Sequence, residues 1–405
     1  MLLTPAFAEP AFDFPKIADV RREAASVPTP TSRLGACPAT GSLLEQIAMA
    51  RACVANQPAG FADKSGNVRR VALAILDATG LIRLVQIQQA LKGDIKVLQG
   101  NVRLVLRRNN RINSDFEVID PPGGKVLSVR YPHARNDLRI YTPYSPELAQ
   151  PEVFNAGLQV KDDFIDRALA RLRAANVPSR AFPGKLVADV VSRKILTILL
   201  LIEHINPKDF QSAELTEAQV GKVLVILAAN KELAYAHNIS PAGAGGIAQL
   251  MRGTYADVVA AYRSAPLEKN FERSAADPIN AIMVQILLCD YDWSRVNEFS
   301  KPAEISAERI GPYLAACYNG GCSPVKRAFQ EGMASWIEAP DLENPPTSKE
   351  PFLTYVGEGK KRHPEWTTSI FKPETLKYVL FYKWVREHLE KIGADGFTPA
   401  PPVKI

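Results

Sequence analysis

The chain has 405 residues, of which 46% are hydrophobic and 23% charged, and its formal net charge is +6. This length favours two or three domains over a single core, and the composition excludes a disordered or fibrous chain. The modest positive charge is compatible with an anionic partner such as a cell-wall polymer. A solvated surface explains it more simply, and no run of Lys and Arg is dense enough to indicate nucleic-acid binding.

The first 40 residues are predicted to form a loose leader because they are rich in Pro, Ala and Ser. Within them, Ala6-Phe7-Ala8 resembles the cleavage site of a secretory signal. We therefore expect an exported protein, in the periplasm or associated with the cell envelope, with an ordinary disordered N-terminus as the alternative. No stretch reaches the roughly 18 apolar residues of a membrane span, so no integral membrane segment is expected.

The cysteine pattern allows disulfides but does not indicate a metal site. The five cysteines are Cys37, Cys53, Cys289, Cys317 and Cys322. In an oxidising compartment the first two can pair, as can the last two, and the odd count leaves at least one thiol free. No CxxC and no Cys/His cluster has the spacing of metal ligands, so neither a metal nor another cofactor is expected.

Residues 41–145 are predicted to form a small β-rich domain that begins with a helix. Leu44, Ile47 and Ala48 have helical spacing, whereas from about residue 66 to residue 143 apolar and polar residues alternate with a period of two. Turn sequences such as "PPGG" and "ARND" separate the alternating runs. The pattern indicates a meander, a barrel or a sandwich, and it contains no catalytic constellation.

Helical periodicity dominates residues 150–335, as in Phe164, Ala168 and Leu172. Residues 336–405 are predicted to be an irregular, Pro-rich stretch followed by a helix at 373–393, which has Pro near its start and Gly past its end. The fold class is therefore predicted to be α+β, with an N-terminal β-rich domain followed by an all-α domain.

Four motifs follow one another in the helical half. They are a Glu at the end of an apolar helix, the Gly-rich segment "SPAGAGGIAQL" (240–250), "DPINAIMVQILL" (277–288) and "YLAACYNGGC" (313–322). In this order they resemble the transglycosylase domain of the soluble lytic transglycosylases, relatives of goose-type lysozyme. The resemblance covers about residues 195–330, under half of the chain, and it implies a lysozyme-like fold for the all-α domain.

The resemblance also implies an activity on peptidoglycan glycan strands, which are the expected partner. Such enzymes cleave the β-1,4 bond between MurNAc and GlcNAc with a single Glu, which acts first as acid and then as base. The muramyl 6-hydroxyl attacks in place of water and gives a 1,6-anhydro product. The alternatives are a lysozyme-type hydrolase acting on the same bond and a non-catalytic wall-binding scaffold. The sequence names no protein partner.

Two residues compete for the role of the acid. Glu232 is slightly favoured because it lies eight residues before Ser240, although Leu233 follows it where the family has Ser. Glu203 is the rival. It ends the more apolar helix "ILTILLLI", and "EHINP" is similar to the family's Glu-Ser-x-x-Asn-Pro, but this choice requires an inserted helix before Ser240. A Glu in apolar surroundings stays protonated near neutral pH, as an acid must.

The remaining site residues come from the Gly-rich segment and from the Tyr-Asn-Gly motif. Small residues allow close approach to a glycan, and Gln249 supplies an amide; tight helix packing is the alternative explanation for the glycines. Tyr318 is expected to hydrogen-bond the acid or the sugar, and Tyr255 to stack on a sugar ring, with core packing as the alternative for each. His204 and His237 are expected to be hydrogen-bonded neighbours of the site. The full predicted binding set is Ser240, Gly243, Ala244, Gly246, Gln249, Tyr255, Tyr318 and Asn319.

Overall fold

The computed structural model describes most of the chain from residue 36 to residue 393. The described ranges are 36–90, 95–109, 112, 114–134, 137–205, 213–236, 238–240, 242–300, 305–341, 343–356 and 363–393. Most of the predicted leader, residues 1–35, lies outside them, as do His237 and the tail after residue 393.

The described elements begin with strands and continue with helices. The strands are β1 (Ala36–Pro38), β2 (Gly60–Phe61), β3 (Val68–Leu76), β4 (Leu81–Ala90), β5 (Ile95–Gln99), β6 (Arg103–Arg108), β7 (Asp115–Asp120), β8 (Lys125–Ala134), β9 (Asp137–Tyr141), β10 (Thr347–Val356) and β11 (His363–Ser369). The helices are α1 (Leu43–Val54), α2 (Pro151–Ala174), α3 (Val187–Val190), α4 (Arg193–Ile202), α5 (Ala213–Asn230), α6 (Arg252–Ala261), α7 (Phe271–Ala276), α8 (Pro278–Phe299), α9 (Ile310–Gly320), α10 (Cys322–Gln330), α11 (Ser335–Glu338) and α12 (Pro373–Gly393).

The N-terminal region is built on an antiparallel sheet in the order β1-β4-β3-β8-β9, with β2 paired to β3 and β5 paired to β4. Strands β6 and β7 form a separate hairpin. The alternation that predicts these strands reflects a sheet with one covered face, but the central strand β3 is buried continuously from Val71 to Leu76. A strand covered on both faces reads as an apolar run.

Helix α1 packs on this sheet through Leu43, Ile47, Ala50 and Val54, which share one face of the helix. It begins at a capping box in which the Glu45 N–H donates to Ser42 Oγ (3.3 Å) and the Ser42 N–H donates to the Glu45 carboxylate (2.7 Å). The Cys37–Cys53 disulfide ties β1 to the last turn of α1.

Asn230, at the end of α5, joins the β-rich region to the helical part. Its Nδ2–H donates to the Thr142 carbonyl (2.9 Å), and its Oδ1 accepts from the Thr142 N–H (2.8 Å) and from the Arg51 guanidinium (3.2 Å). The side chain is 3% exposed. A buried amide with this many partners fixes how the two parts meet.

The helical part is arranged around α8, whose residues from Pro278 to Leu288 are all buried. A helix that is buried on every face lies at the centre of its layer. Helices α2, α6, α7, α9 and α10 pack on it, and α12 packs on α4 and α9. Gly157 of α2 lets α5 approach, because a Cβ there would lie 2.2 Å from the Leu224 carbonyl oxygen. These contacts bring the end of α4 beside α9 and α12.

The segment after α11 contains a hairpin where the sequence predicts an irregular stretch. Strands β10 and β11 pair antiparallel, with Leu353 opposite Trp366 and Tyr355 opposite Pro364. The prolines misled the prediction. Pro351 falls within the register irregularity between Thr347 and Phe352, and a two-stranded ribbon leaves each strand with an unpaired edge that tolerates proline.

The predicted class is confirmed at the level of architecture, since the chain is mixed α+β with a β-rich N-terminal region and a helical C-terminal part. Both of the cysteine pairs that the sequence allows are present as disulfides, and Cys289 is free and buried. None of the described helices combines the length and the apolarity that crossing a membrane requires.

Candidate functional site

Glu203 caps the C-terminal end of α4, a helix whose residues from Ile195 to Ile202 are all buried. Its side chain is partly exposed, and its Oε1 accepts a hydrogen bond from the Tyr378 hydroxyl of α12. The surrounding protein desolvates the carboxylate and raises the pKa of Glu203 to about 8. The Tyr378 hydrogen bond acts in the opposite direction, and the negative charge of Glu374 adds to the rise in pKa.

This environment gives Glu203 the properties of a proton donor. With a pKa near 8, the carboxyl is mostly protonated at pH 7, and its partial exposure leaves it within reach of a ligand. Tyr318 of α9 lies in the same cluster, near enough to Glu203 that burial and then the charge of Glu203 raise the pKa of its phenol. A carboxyl flanked by two phenols and desolvated by apolar helices can protonate a leaving group.

The described residues of the Gly-rich segment, 240 and 242–250, are closed by two pairs of short-range hydrogen bonds. The Ser240 N–H donates to the Ala244 carbonyl (2.8 Å), and Ser240 Oγ accepts from the Ala244 N–H (3.0 Å). Gly245 and Leu250 exchange backbone hydrogen bonds in both directions. Ser240 and Ala244 therefore close the first turn, and Ser240 Oγ is engaged within the segment.

The glycines of this segment serve packing more than ligand approach. Gly246 has a φ of 73°, and a Cβ there would lie 2.1 Å from the Ala275 carbonyl oxygen of α7. A Cβ on Gly245 would meet the Ala275 side chain at 3.2 Å. Gly243 has a φ of 91°, with no atom within 4 Å of its Cβ position. Of these three glycines, only Gly243 has open space at its Cβ position. Close packing against α7 therefore explains the glycine at position 246.

Two side chains from outside hold the second half of the segment in place. His204, next to Glu203, lies with its Nε2 2.8 Å from the Ile247 carbonyl oxygen. The Tyr318 hydroxyl donates to the Ala248 carbonyl oxygen at 2.6 Å. Gln249 is partly exposed at a φ of 45°, and its Nε2–H donates to the Gly246 carbonyl (2.7 Å). The structure therefore brings Glu203, Tyr318 and the turn that contains Gln249 together.

Asn319 completes the cluster on the side of α12. Its Oδ1 accepts a hydrogen bond from Thr375 Oγ1 at 2.8 Å, and Gly320 lies close to the same threonine. The Cys317–Cys322 disulfide spans the turn between α9 and α10. Tyr318 and Asn319 are thus held by their own helix α9, by the disulfide-braced turn that follows it and by α12.

Glu232, the acid favoured by the sequence, lies elsewhere. It sits on a 3₁₀ turn (Lys231–Leu233) after α5, its side chain is 59% exposed, and it pairs with Arg167 at 3.6 Å. Helix α5 ends at Asn230, whose side chain is anchored to Thr142, and Glu232 follows on the exposed turn. The geometry therefore reverses the order of the two candidates and favours Glu203.

Tyr255 is placed by packing and is not joined to the Glu203 cluster. It is 3% exposed and lies edge-to-face on Phe271, with ring centroids 5.6 Å apart. It lines a cavity of about 390 Å³ together with Arg252 and Lys269, and Glu203 is not part of that cavity. This arrangement fits the core-packing alternative for Tyr255.

Sequence reasoning missed Tyr378, the hydrogen-bond partner of Glu203. In α12 it is one of several buried apolar and aromatic residues, with Val379, Phe381 and Tyr382, so nothing in the pattern separates it from the core. In the described part of the chain, one group has potential metal ligands close together, namely Asp292, Cys317 and Cys322. Its two sulfurs are joined in the disulfide and are not available as thiolates.

Comparisons of the chain with models of known protein families, with curated proteins and with solved structures found no match. What the site can do therefore follows from its own chemistry. That chemistry consists of a carboxyl with a raised pKa, two phenols, a turn that carries the Gln249 amide and a disulfide-braced turn, gathered where α4, α9 and α12 meet.

Proposed function

We propose that the protein is a peptidoglycan lytic transglycosylase with Glu203 as its acid and base, carried on a lysozyme-like helical fold. It cleaves the β-1,4 bond between MurNAc and GlcNAc and leaves 1,6-anhydro-MurNAc ends. The observation that carries the proposal is the partly exposed, desolvated carboxyl of Glu203, placed against Tyr378 and beside the Gly-rich segment. A protein with this activity works outside the cytoplasm, in the periplasm or cell envelope.

In this mechanism Glu203 first donates its proton to the glycosidic oxygen as the bond to C1 breaks. The resulting carboxylate is stabilised by the hydrogen bond from the Tyr378 hydroxyl. It then removes the proton of the muramyl 6-hydroxyl, whose oxygen bonds to C1 and closes the anhydro ring. Glu203 ends the cycle protonated, and no water or second carboxylate takes part.

Among the described residues, the neighbours of Glu203 in the cluster are the phenols of Tyr318 and Tyr378, together with the backbone of the Gly-rich segment. The carboxylate of Glu374, on the first turn of α12, is near enough for its charge to raise the pKa of Glu203. A retaining hydrolase needs a second carboxylate about 5 Å from the acid, and an inverting one needs a carboxylate that activates water. The products therefore decide between the single-carboxyl mechanism and a hydrolase.

Mass spectrometry of soluble products released from purified peptidoglycan sacculi tests this proposal. Muropeptides that end in 1,6-anhydro-MurNAc are the expected result. Reducing ends would show that water attacks and would support the hydrolase alternative. If the folded protein pelleted with sacculi and released nothing, it would be a wall-binding scaffold and the proposed activity would be overturned.

A further inference from the structure

His204 occupies a constrained position directly after the proposed acid. Its ring stacks on that of Tyr235, with centroids 3.5 Å apart and planes inclined by 13°. Burial lowers the pKa of His204 to about 4, so the imidazole is neutral at pH 7. Because a carbonyl oxygen only accepts, the Nε2 that faces the Ile247 carbonyl at 2.8 Å carries the proton and donates it.

The turn that His204 contacts and the residue beneath its ring both carry backbone strain. Gln249, two residues after Ile247, has a φ of 45°, and Tyr235, beneath the imidazole, has a φ of 60°. Left-handed backbone costs a residue with a side chain roughly 1 kcal/mol or more, so it persists where neighbouring contacts impose it. His204 lies between the two strained positions, because its ring stacks on Tyr235 and its Nε2 bonds the Ile247 carbonyl, two residues before Gln249.

We propose that His204 is a positioning residue that holds residues 247–249 against the end of α4. This inference rests on the proposed function and adds to it the group that sets the distance from Gln249 to Glu203. The hydrogen bond from His204 fixes this turn at the Ile247 carbonyl, and the hydrogen bond from Tyr318 fixes it at the Ala248 carbonyl. His204 acts on the substrate through the turn and does not take part in proton transfer.

Two substitutions separate the hydrogen bond from the ring. His204→Phe keeps an aromatic ring on Tyr235 but has no donor, whereas His204→Gln places an amide N–H near the position of Nε2. We expect His204→Phe to lower kcat for muropeptide release about tenfold or more with a smaller change in KM, because small displacements of positioning groups slow the chemical step. His204→Gln should restore most of the lost kcat.

Hydrogen exchange at the Gly245 and Leu250 amides, whose hydrogen bonds close the turn, measures the stability of the turn itself. We expect His204→Phe to speed this exchange about tenfold and His204→Gln to leave it near the wild-type rate. His204→Asn, whose amide is too short to reach Ile247, replaces the Phe variant if that variant does not fold.

The outcomes separate the two proposals. Unchanged exchange in a folded variant that lacks the donor would overturn the role of His204, whatever the substrate is. Faster exchange with unchanged kcat would overturn its role in catalysis. If the wild-type protein releases no muropeptides, the proposed function fails, while the exchange rates still decide whether His204 holds the turn.

Discussion

Glu203 and Glu232 both follow apolar helices, yet their surroundings make them chemically different. The carboxyl of Glu203 is desolvated and hydrogen-bonded by Tyr378, whereas Glu232 is mostly exposed and pairs with Arg167. The sequence identified both residues but slightly favoured Glu232, because the tyrosine that distinguishes Glu203 lies some 175 residues further along the chain, on a helix outside the recognised motifs. Burial of a helix end is decided by tertiary contacts that local patterns do not contain.

The free energy of unfolding should depend on pH because folding raises the pKa of Glu203. The pKa of Glu203 is about 8 in the folded chain, against an ordinary value of 4.5. Between these values the folded state holds a proton that the unfolded state has released, so the free energy of unfolding falls as the pH rises. Glu203→Gln removes this titration. Between pH 5 and pH 9, we expect the free energy of unfolding of wild type to fall by on the order of 3 kcal/mol more than that of Glu203→Gln, as measured by urea unfolding.

His204 titrates in both proteins and therefore cancels from that comparison. Its lowered pKa makes stability fall as the pH drops from about 6.5 towards 4, which is the opposite direction. Parallel stability curves for wild type and Glu203→Gln would mean that Glu203 ionises normally, and the assignment of the acid would fail.

Tyr378→Phe should shift the pH dependence of activity. The tyrosine hydroxyl stabilises the carboxylate, so its loss should raise the pKa of Glu203 further. Activity requires the protonated acid, and the alkaline limb of the kcat/KM profile should therefore move to higher pH. Tyr382→Phe, on the same helix, is the matched control and should leave the limb in place. A shift to lower pH in Tyr378→Phe would contradict the role assigned to this tyrosine.

At the scale of elements, alternation in the sequence predicted the strands between residues 66 and 143 well, because a half-covered sheet imposes a period of two. The hairpin of β10 and β11 was missed, since its prolines resemble loop signals. The Gly-rich segment was located correctly as a place of close approach. Its partner at Gly246 is α7, a contact that no local pattern specifies.

Two glycine substitutions test this account of the segment. Gly246→Ala combines a left-handed φ with a Cβ 2.1 Å from the Ala275 carbonyl oxygen, and we expect a loss of at least about 3 kcal/mol of stability. Gly243→Ala also has a left-handed φ but meets open space, so it should cost only about 1–2 kcal/mol. Thermal unfolding compares the two, and equal losses would show that packing against α7 is not what requires Gly246.

At the scale of the whole molecule, the predicted order of a β-rich region followed by a helical part is present, but the two are closely joined. Asn230 links them through Thr142 and Arg51, and the site depends on α12, which lies beyond the recognised motifs. Composition and periodicity give the number and kind of such parts. They do not specify the buried hydrogen bonds that set one part against another.

Asn230→Ala should weaken this junction. It leaves the Thr142 N–H and carbonyl without their partner, and we expect a loss of about 2–4 kcal/mol in chemical unfolding. Glu232→Ala, two residues away and exposed, should change stability by no more than about 0.5 kcal/mol. A loss of similar size in both variants would remove Asn230 from its role as the link.

The most direct test of the central claim is muropeptide release from sacculi by wild type, Glu203→Gln and Glu232→Gln, each verified as folded. Gln keeps the shape of Glu but cannot donate a proton at neutral pH. Glu203→Gln should therefore lose about a hundredfold or more in rate, while Glu232→Gln should stay close to wild type. An active Glu203→Gln together with an inactive Glu232→Gln would contradict the assignment and return the acid to the exposed turn after α5.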